Sequence, residues 1–268
     1  MRIFSSAICV ALFTPVLALS AVSSNAGLSN DPVAKSPGAT SPDATAPGAT
    51  ELVAKNLAAR GGAALAAIHS LRMVGKLTVP GGFELSFNEL KSRATGAVRL
   101  ELTLQGLTIV QAYDGKEGWQ IQPFEGRKDA ARMSDDEARA LADEALIDGY
   151  LLASKVTGGN IVNLGEEDVD GTLAYKLRLI QTDGDEFTYY LDPDTYLEIK
   201  IVEKRRLRGA EQQTEYELGD YERVLGAYFP FSIDSGPVGS SQRQQINLDH
   251  IDGNVAIDGL PFSQPVKK

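Results

Sequence analysis

The sequence predicts a mainly β protein in which about ten or eleven antiparallel strands accompany two alanine-rich helical segments. Three observations support this fold class. Apolar and polar residues alternate over most of the chain beyond residue 70, turn-forming residues separate the alternating runs, and two segments lack the alternation. Such alternation is typical of an antiparallel sheet with one buried and one hydrated face.

The first 26 residues have the organisation of a secretory signal peptide. Arg2 precedes an apolar run from Ile3 to Leu19, and small residues follow up to Ala26. The run is shorter, and more often interrupted by polar residues and proline, than a membrane-spanning helix requires. We therefore expect residues 1–26 to direct export and to be removed, with an uncleaved membrane anchor as the alternative.

The single cysteine, Cys9, lies inside the apolar run and not at its exit. It is poorly placed to carry the lipid of a bacterial lipoprotein, and the mature chain would contain no cysteine. Disulfides, thiol nucleophiles and thiolate metal ligands are then excluded from the mature chain. The formal net charge of −10 also disfavours nucleic acid as a partner.

Residues 27–50 are rich in Pro, Gly, Ala, Thr and Ser and contain almost no large apolar side chains. Such a composition cannot offset its ordering entropy by burial. We therefore predict a flexible linker at 27–50 and one folded domain at 51–268.

The alternating apolar positions predict the individual strands. In chain order they are Leu71, Met73, Leu77 and Val79; Phe83, Leu85 and Phe87; Val98, Leu100, Leu102 and Leu104; Leu107 and Ile109; Trp119 and Ile121; Tyr175, Leu177 and Leu179; Phe187, Tyr189 and Leu191; Leu197, Ile199 and Ile201; Tyr216 and Leu218; and Ile246 and Leu248.

Asp192 and Asp194 flank Pro193 between two of these runs, within "TYYLDPDTYLEIKI". Asp, Pro and Asp suit the first three positions of a type I turn. We interpret the two carboxylates as turn-forming groups in preference to a catalytic or metal-binding pair.

Two segments lack the period of two. The first, Thr50 to Ile68, has a plausible cap at Thr50 and is interrupted by Gly61 and Gly62. The second begins with the capping box Ser134-Asp135-Asp136-Glu137 and continues through Leu141 to Leu152. Both are predicted helices, and the simplest interpretation is that they close a core.

The small side chains of these helices favour a cavity. A wide sheet with Leu, Ile, Phe, Tyr and Met on one face needs bulky partners to fill its core. The helices offer mostly Ala and Gly. A sheet curved around such slim helices would leave an apolar concavity, which is a site for an apolar ligand.

Catalytic alternatives find little support. The two histidines, His69 and His250, have no metal-site spacing, and no nucleophile-elbow, dinucleotide or phosphate-loop motif occurs. We expect no enzyme activity, no metal and no cofactor. A hydrolase using distant carboxylates stays open, because folding can bring Asp and Glu together.

Four stretches resemble the LolA/LolB-like outer-membrane lipoprotein-sorting proteins. They are "YDGKEGWQIQPFEG" at 113–126, "YKLRLIQTDGDEFTYYLDPDTYLEIK" at 175–200, "GDYERVLGAYFPFSI" at 219–233 and "INLDHIDGNVAIDGLPFSQP" at 246–265. The resemblance covers nearly all of 51–265 and is closest to the broad outer membrane lipoprotein-sorting protein branch.

The resemblance implies a single incomplete antiparallel barrel whose concave face is covered by helices and holds acyl chains during transit across the periplasm. In the best-studied soluble carriers of this family, an arginine on an early strand holds the helical lid. The nearest candidate, Arg72, has the parity of a solvent-facing residue, so we do not assign it that role.

The sequence therefore predicts a periplasmic, monomeric carrier of acylated lipoproteins or other lipids, with an inner-membrane lipid or lipoprotein exporter as a further candidate partner. The alternative is a non-enzymatic envelope sensor or scaffold module whose cavity is filled by its own side chains. Leu141 and Leu152 belong to the predicted lid. The predicted cavity residues are Leu85, Phe87, Leu100, Leu102, Ile109, Trp119, Leu177, Leu179, Tyr189, Ile199 and Ile201.

Overall fold

The computed structural model describes residues 47–207, 209–257 and 262–265. The predicted signal peptide and most of the predicted linker lie outside these residues. Thirteen strands form one sheet in which every neighbouring pair is antiparallel. They are β1 Ser70–Val79, β2 Phe83–Ser92, β3 Ala97–Leu104, β4 Leu107–Tyr113, β5 Gly118–Gln122, β6 Arg127–Arg132, β7 Asn160–Val169, β8 Thr172–Ile180, β9 Glu186–Leu191, β10 Glu198–Leu207, β11 Ala210–Val224, β12 Ala227–Pro237 and β13 Gln244–Gly253.

The strand count exceeds the predicted ten or eleven, and the two edge strands explain much of the difference. β6 has the sequence RKDAAR and is exposed at five of its six residues. β7 is exposed or half-buried along its whole length. Neither strand buries an apolar face, so neither shows the apolar alternation on which the prediction depended.

The sheet consists of two series of consecutive hairpins. Its order is β6-β5-β4-β3-β2-β1-β13-β12-β11-β10-β9-β8-β7, so β1 and β13 pair at its centre. The register of this central pair shifts between Val74 and Gly75. A Cβ at Gly75 would lie 2.2 Å from the carbonyl oxygen of Asn247, so only glycine fits this irregularity.

The sheet is not closed into a barrel, because β6 and β7 are its two free edges. These edge strands follow each other in the chain. Residues 133–159, which connect them, therefore have to pass over the sheet from one edge to the other. We call them the crossing segment.

Four α-helices accompany the sheet within the part of the chain that the structure describes: α1 Ala49–Ala59, α2 Ala63–Ala66, α3 Asp135–Glu144 and α4 Tyr150–Thr157. The capping box is confirmed, since Ser134 Oγ accepts a hydrogen bond from the Glu137 amide and Ser134 N donates to Glu137 Oε2. The cap predicted at Thr50 is wrong. The N-cap of α1 is Gly48, which offers no side chain.

The second helical segment is two helices and not one. Residues 145–149 interrupt it, and Gly149 has a φ of +73°, which is left-handed backbone that favours glycine. The break divides the crossing segment into α3, which contacts β3, β4, β5 and β10, and α4, which contacts α1.

Two main apolar clusters fill the space between the sheet and the helices. The central core lies on the strands around the β1–β13 pair and includes Leu85, Phe87, Leu100, Leu102 and Ile109. The lateral core lies under α1 and α4 and includes Leu52, Leu151, Leu177, Leu179 and Tyr189.

The corner between β9 and β10 contains the Asp192-Pro193-Asp194 sequence. Asp192 Oδ1 accepts hydrogen bonds from the amides of Asp194 and Thr195, at 3.1 and 2.7 Å, and from Thr195 Oγ1 at 2.9 Å. The carbonyl of Asp192 accepts from the amide of Tyr196. The carboxylate of Asp192 therefore shapes the chain as predicted, but the corner is one residue wider than the predicted type I turn.

Replacing Asp192 by Ala should lower the free energy of unfolding by about 0.5–2 kcal/mol, the usual cost of losing a side-chain cap. Asp192→Asn should be nearly silent, because the amide oxygen accepts the same bonds. Asp194→Ala is the matched control, since the Asp194 side chain is exposed. Denaturant unfolding measures all three, and an equal loss in the control would contradict the assignment.

Candidate functional site

A cavity of about 260 Å³ lies between the concave face of the sheet and the crossing segment. Its wall is partly apolar, with Leu71, Met73, Phe87, Leu151 and Phe229. Eight acidic or basic side chains complete the wall: Arg60, Glu89, Lys91, Asp143, Glu144, Glu198, Glu203 and Arg205.

Three of the eleven predicted cavity residues line this space, namely Phe87, Tyr189 and Ile201. Six others face the helices from the same side of the sheet but are packed into the two cores. Leu85, Leu100, Leu102 and Ile109 belong to the central core, and Leu177 and Leu179 belong to the lateral core. The apolar concavity is therefore filled over much of its area by protein.

The prediction for Trp119 is wrong, because this side chain lies on the opposite face of the sheet. Trp119 pairs with Ala112 across β4 and β5, and it packs with Val110 and Ala112. Ile109, one residue along from Val110, belongs to the central core. Because side chains alternate along a strand, Trp119 and Ile109 face opposite ways.

The backbone outside the sheet covers Trp119. Its Nε1 donates a hydrogen bond of 2.5 Å to the carbonyl of Phe262, and the guanidinium of Arg99 lies 5.3 Å from its ring centre. The side of the sheet on which Trp119 lies depends on how β5 pairs with β4. That pairing could not be inferred from the alternation of apolar residues within β5 alone.

Ile199 is also absent from the cavity wall. The register of β9 and β10 shifts between Glu198 and Lys200, which leaves Ile199 without a partner across the sheet. The shift moves Ile199 out of the alternation that includes Ile201. Of the two isoleucines, Ile201 borders the cavity and Ile199 does not.

The two predicted lid residues lie on the crossing segment but do not line the cavity. Leu141 packs with Val98, Met133 and Ala145, and Leu152 packs against both cores. Leu146, Ile147 and Leu151 of the same segment do line the cavity. The crossing segment therefore meets the cavity through the last turn of α3, the break between α3 and α4 and the first turn of α4.

The first charged group in the wall joins β2 to α3. Lys91 Nζ lies 3.2 Å from Glu89 and 3.8 Å from Glu144. Burial raises the pKa of Glu89 to about 6, and nearby Glu144 adds to the rise, while Lys91 opposes it. One cation is therefore shared by two carboxylates.

The second charged group joins β10 to α3. Arg205 lies 2.9 Å from Asp143, 3.7 Å from Asp185 and in contact with Glu203. Tyr216 donates to Glu203 Oε2 at 2.8 Å. Burial, only partly opposed by Arg205, raises the pKa of Asp143 to about 8 and that of Glu203 to about 7.

The third charged group holds the end of α1 on the sheet. Arg60 donates to Glu198 at 3.1 Å and to the carbonyl of Tyr228 at 3.0 Å. The hydroxyl of Tyr221 donates to the carbonyl of Glu198. Here one cation meets one carboxylate, so the charges balance.

Sequence reasoning missed these charges, although the signal was present. On β2 the side chains that share the face of Phe87 continue as Glu89 and Lys91, and on β10 those that share the face of Ile201 continue as Glu203 and Arg205. Extending the alternation beyond its last apolar residue would have placed both pairs inside.

Arg93, just after β2, ties the crossing segment to α2. Its guanidinium donates to both carboxylate oxygens of Asp148, at 2.6 and 2.8 Å, and to the carbonyls of Leu65 and Ile68. Arg72 is exposed and bonds Asn88, in agreement with the parity that placed it in solvent.

Within 47–207, 209–257 and 262–265, no group of three or more His, Cys, Asp or Glu side chains has a geometry that could hold a metal ion. Among the same residues, no helix has the length and apolar content needed to cross a bilayer.

No protein-family model matches the sequence, and no curated protein matches it. Solved structures with the same architecture do exist. A domain from Vibrio parahaemolyticus named after outer membrane lipoprotein-sorting proteins aligns with a TM-score of 0.55 and 12% identity over 80% of this chain and 95% of its own. A LolA superfamily protein from Nitrosomonas europaea aligns with a TM-score of 0.52 and 13% identity over 77% and 94%.

The chain has the LolA-like fold. A DUF1329 family protein from Desulfovibrio piger shares it, with a TM-score of 0.53 and 11% identity over 80% of this chain and 97% of its own. At these identities the comparisons establish the fold alone. The resemblance predicted from the four sequence stretches is confirmed at that level, as is the mainly β, unclosed antiparallel sheet.

Stability should fall as the pH rises from 5 to 8. Glu89, Glu203 and Asp143 have folded-state pKa values of about 6, 7 and 8, above those of about 4 in unfolded chains. Between these limits the folded state binds more protons than the unfolded chain, so raising the pH destabilises it. Thermal unfolding at several pH values should show the highest melting temperature near pH 5.

Glu203→Gln removes one of these groups and should flatten the pH dependence. Glu211→Gln makes the same change at an exposed position and serves as the control. A stability that rises toward pH 8, or an equal effect of both variants, would contradict the assigned pKa directions.

Two apolar truncations should separate core from cavity wall. Leu100 is 1% exposed within the central core, so Leu100→Ala should cost about 2–5 kcal/mol. Ile201 borders the cavity, so Ile201→Ala should cost less, because fewer packing contacts are lost. Equal losses in denaturant unfolding would show that the cavity is closed in solution.

Proposed function

We propose that this protein carries acyl chains of a lipoprotein or another lipid in the cavity beneath its crossing segment. The single observation that carries the proposal is the cavity itself, which lies between the concave face of the sheet and the crossing segment and has a partly apolar wall. The apolar part of its wall would bind a hydrocarbon chain by burial, at about 25 cal/mol per Å². The proposal requires no chemistry.

A complete chain needs more room than the cavity now offers. Its volume of about 260 Å³ is slightly below the range of roughly 300–1,000 Å³ typical of ligand pockets. The crossing segment is the part that would move. Ion pairs of Asp143, Glu144 and Asp148 fasten it to β10, β2 and the residue after β2. Ile147 and Leu151 also pack into the two cores, so opening has to displace both kinds of contact.

The cellular role belongs to the same proposal. Export by residues 1–26 would place a monomeric carrier in the periplasm, where it would receive its ligand at the inner membrane, with a lipid or lipoprotein exporter as candidate partner, and carry it toward the outer membrane. The Vibrio parahaemolyticus domain named after lipoprotein-sorting proteins and the LolA superfamily protein support this role by fold only.

Protein purified from the periplasm should carry a lipid that native mass spectrometry detects as an adduct. Ile201→Trp should abolish or strongly reduce the adduct, because the indole would occupy the cavity. Phe83→Trp is the matched control, since Phe83 is 48% exposed. A wild type without adduct that also takes up no lipid from vesicles would favour the sensor or scaffold alternative.

A further inference from the structure

Apolar side chains gather at the tips of four hairpins along one end of the sheet. The sheet order places the tips of β5–β6, β3–β4, β1–β2 and β12–β13 next to one another in that sequence. The pairing of Thr78 with Gln245 joins the last two. We call the apolar residues at these tips the apolar rim: Phe124, Leu104, Leu107, Val79, Phe83 and Val238.

The rim is the exposed continuation of the central core. Val79, Leu104 and Phe124 are half-buried and pack against that core. Phe83 and Val238, by contrast, are 48% and 47% exposed, and Leu107 is 41% exposed. Burying such side chains against an apolar partner is favourable, and large apolar side chains exposed together mark an interaction surface.

Three of the four tips carry no charged side chain. Residues 80–82, 105–106 and 238–242 contain only Pro, Gly, Val, Ser and Gln, although the chain as a whole has a formal net charge of −10. An apolar partner that approaches these tips therefore neither meets a like charge nor has to desolvate one. The acidic character of the protein lies elsewhere on its surface.

The two carboxylates that flank the rim are each close to a cation. Glu84, next to Phe83, lies 3.6 Å from Lys76, and Glu125, next to Phe124, lies 3.8 Å from Arg127. The negative charge beside the rim is therefore compensated locally.

Basic side chains lie at the β6 end of the rim. Arg127 and Lys128 are the first two residues of β6, three and four positions after Phe124, and both are exposed. Exposed Lys and Arg side chains beside an apolar surface are suited to the phosphate groups of lipids. The rim thus combines projecting apolar side chains with adjacent positive charge.

We propose that the apolar rim is a membrane-docking surface whose partner is the lipid bilayer itself. Phe83, Leu107 and Val238 would enter the boundary between headgroups and acyl chains, and Arg127 and Lys128 would lie at the level of the phosphates. The four tips span roughly 30 Å along the sheet at about 4.8 Å per strand. A lipid surface accepts such a row of projecting side chains without directional contacts.

Docking goes beyond the proposed function, because it does not depend on what the cavity holds. The two are connected along β2. Phe83, Leu85 and Phe87 share one face of this strand, Leu85 belongs to the central core, and Phe87 lines the cavity. An apolar surface therefore runs from the rim to the cavity within five residues.

Flotation with protein-free vesicles of phosphatidylethanolamine and phosphatidylglycerol tests the proposal on the full mature chain. We expect the wild type to float with the vesicles. Phe83→Ser combined with Leu107→Ser should lower its partition coefficient roughly tenfold or more, since two apolar side chains no longer leave water. Leu173→Ser is the matched control, because Leu173 is 55% exposed at the opposite end of the sheet, and it should have no effect.

The charged part of the surface has its own test. Arg127→Gln combined with Lys128→Gln should weaken binding to the anionic vesicles at low salt, and high salt should remove the difference from the wild type. With vesicles of phosphatidylcholine alone, this variant and the wild type should bind equally.

Tryptophan emission reports whether the rim itself enters the lipid. In Leu107→Trp the added indole should shift its emission to shorter wavelength when vesicles are added. Leu173→Trp should show no shift, and neither should the wild type, whose single Trp119 lies on the convex face. Thermal unfolding confirms that each variant is folded.

Several outcomes would overturn the docking proposal. Absence of the wild type from the floated vesicles would do so, as would equal binding by the rim variant and Leu173→Ser. Rim-dependent binding to native inner membranes but not to protein-free vesicles would assign the rim to a membrane protein. A dimer in sedimentation that only the rim variant dissociates would assign it to a second copy of the chain.

The carrier function is judged separately. Ile201→Trp should lose the lipid adduct and keep its vesicle binding, because Ile201 borders the cavity and is not part of the rim. A wild type that binds vesicles but never carries or takes up lipid would overturn the carrier function alone. A lipid adduct without vesicle binding would overturn docking alone.

Discussion

The architecture depends on one topological constraint, which is that strands consecutive in the chain form the two opposite edges of the sheet. β6 and β7 cannot be joined by a hairpin, so the 27 residues between them have to cross the concave face. This crossing covers the face, creates the cavity and brings the last turn of α3 against both β2 and β10. If these edges were paired instead, the sheet would be a closed barrel and the crossing would be unnecessary.

The charges follow from the crossing. Buried ion pairs gain little stability, because desolvation offsets the attraction between the partners. In this protein the ion pairs position the crossing segment. Arg205 and Lys91 hold the end of α3 over the sheet, and Arg93 holds the break that follows α3. The raised pKa values of Glu89, Asp143 and Glu203 come mainly from their burial, which the nearby cations offset only in part.

The fold was largely predictable from the sequence, because alternation is strong wherever a strand has one buried face. Leu85, Leu100 and Leu177 all lie on the face that their parity predicted. The edge strands β6 and β7 were missed because they bury almost no apolar side chains. Trp119 and Ile199 were misplaced because the side of the sheet on which a residue lies depends on strand pairing and on local irregularities of the register. The site was harder to predict. Its cavity depends on how two helices sit over the sheet, and its charges were overlooked because the alternation was followed only as far as the apolar residues.

The position of Trp119 has an optical consequence. It is the single tryptophan in the chain, and it lies on the convex face, separated from the cavity by the sheet. Its intrinsic emission therefore monitors the packing of β4, β5 and the backbone of Phe262, and is insensitive to whatever occupies the concave side. Denaturation followed at this residue gives a fluorescence signal that ligand quenching does not distort. A tryptophan placed in the cavity would add a second emitter whose spectrum reports occupancy separately.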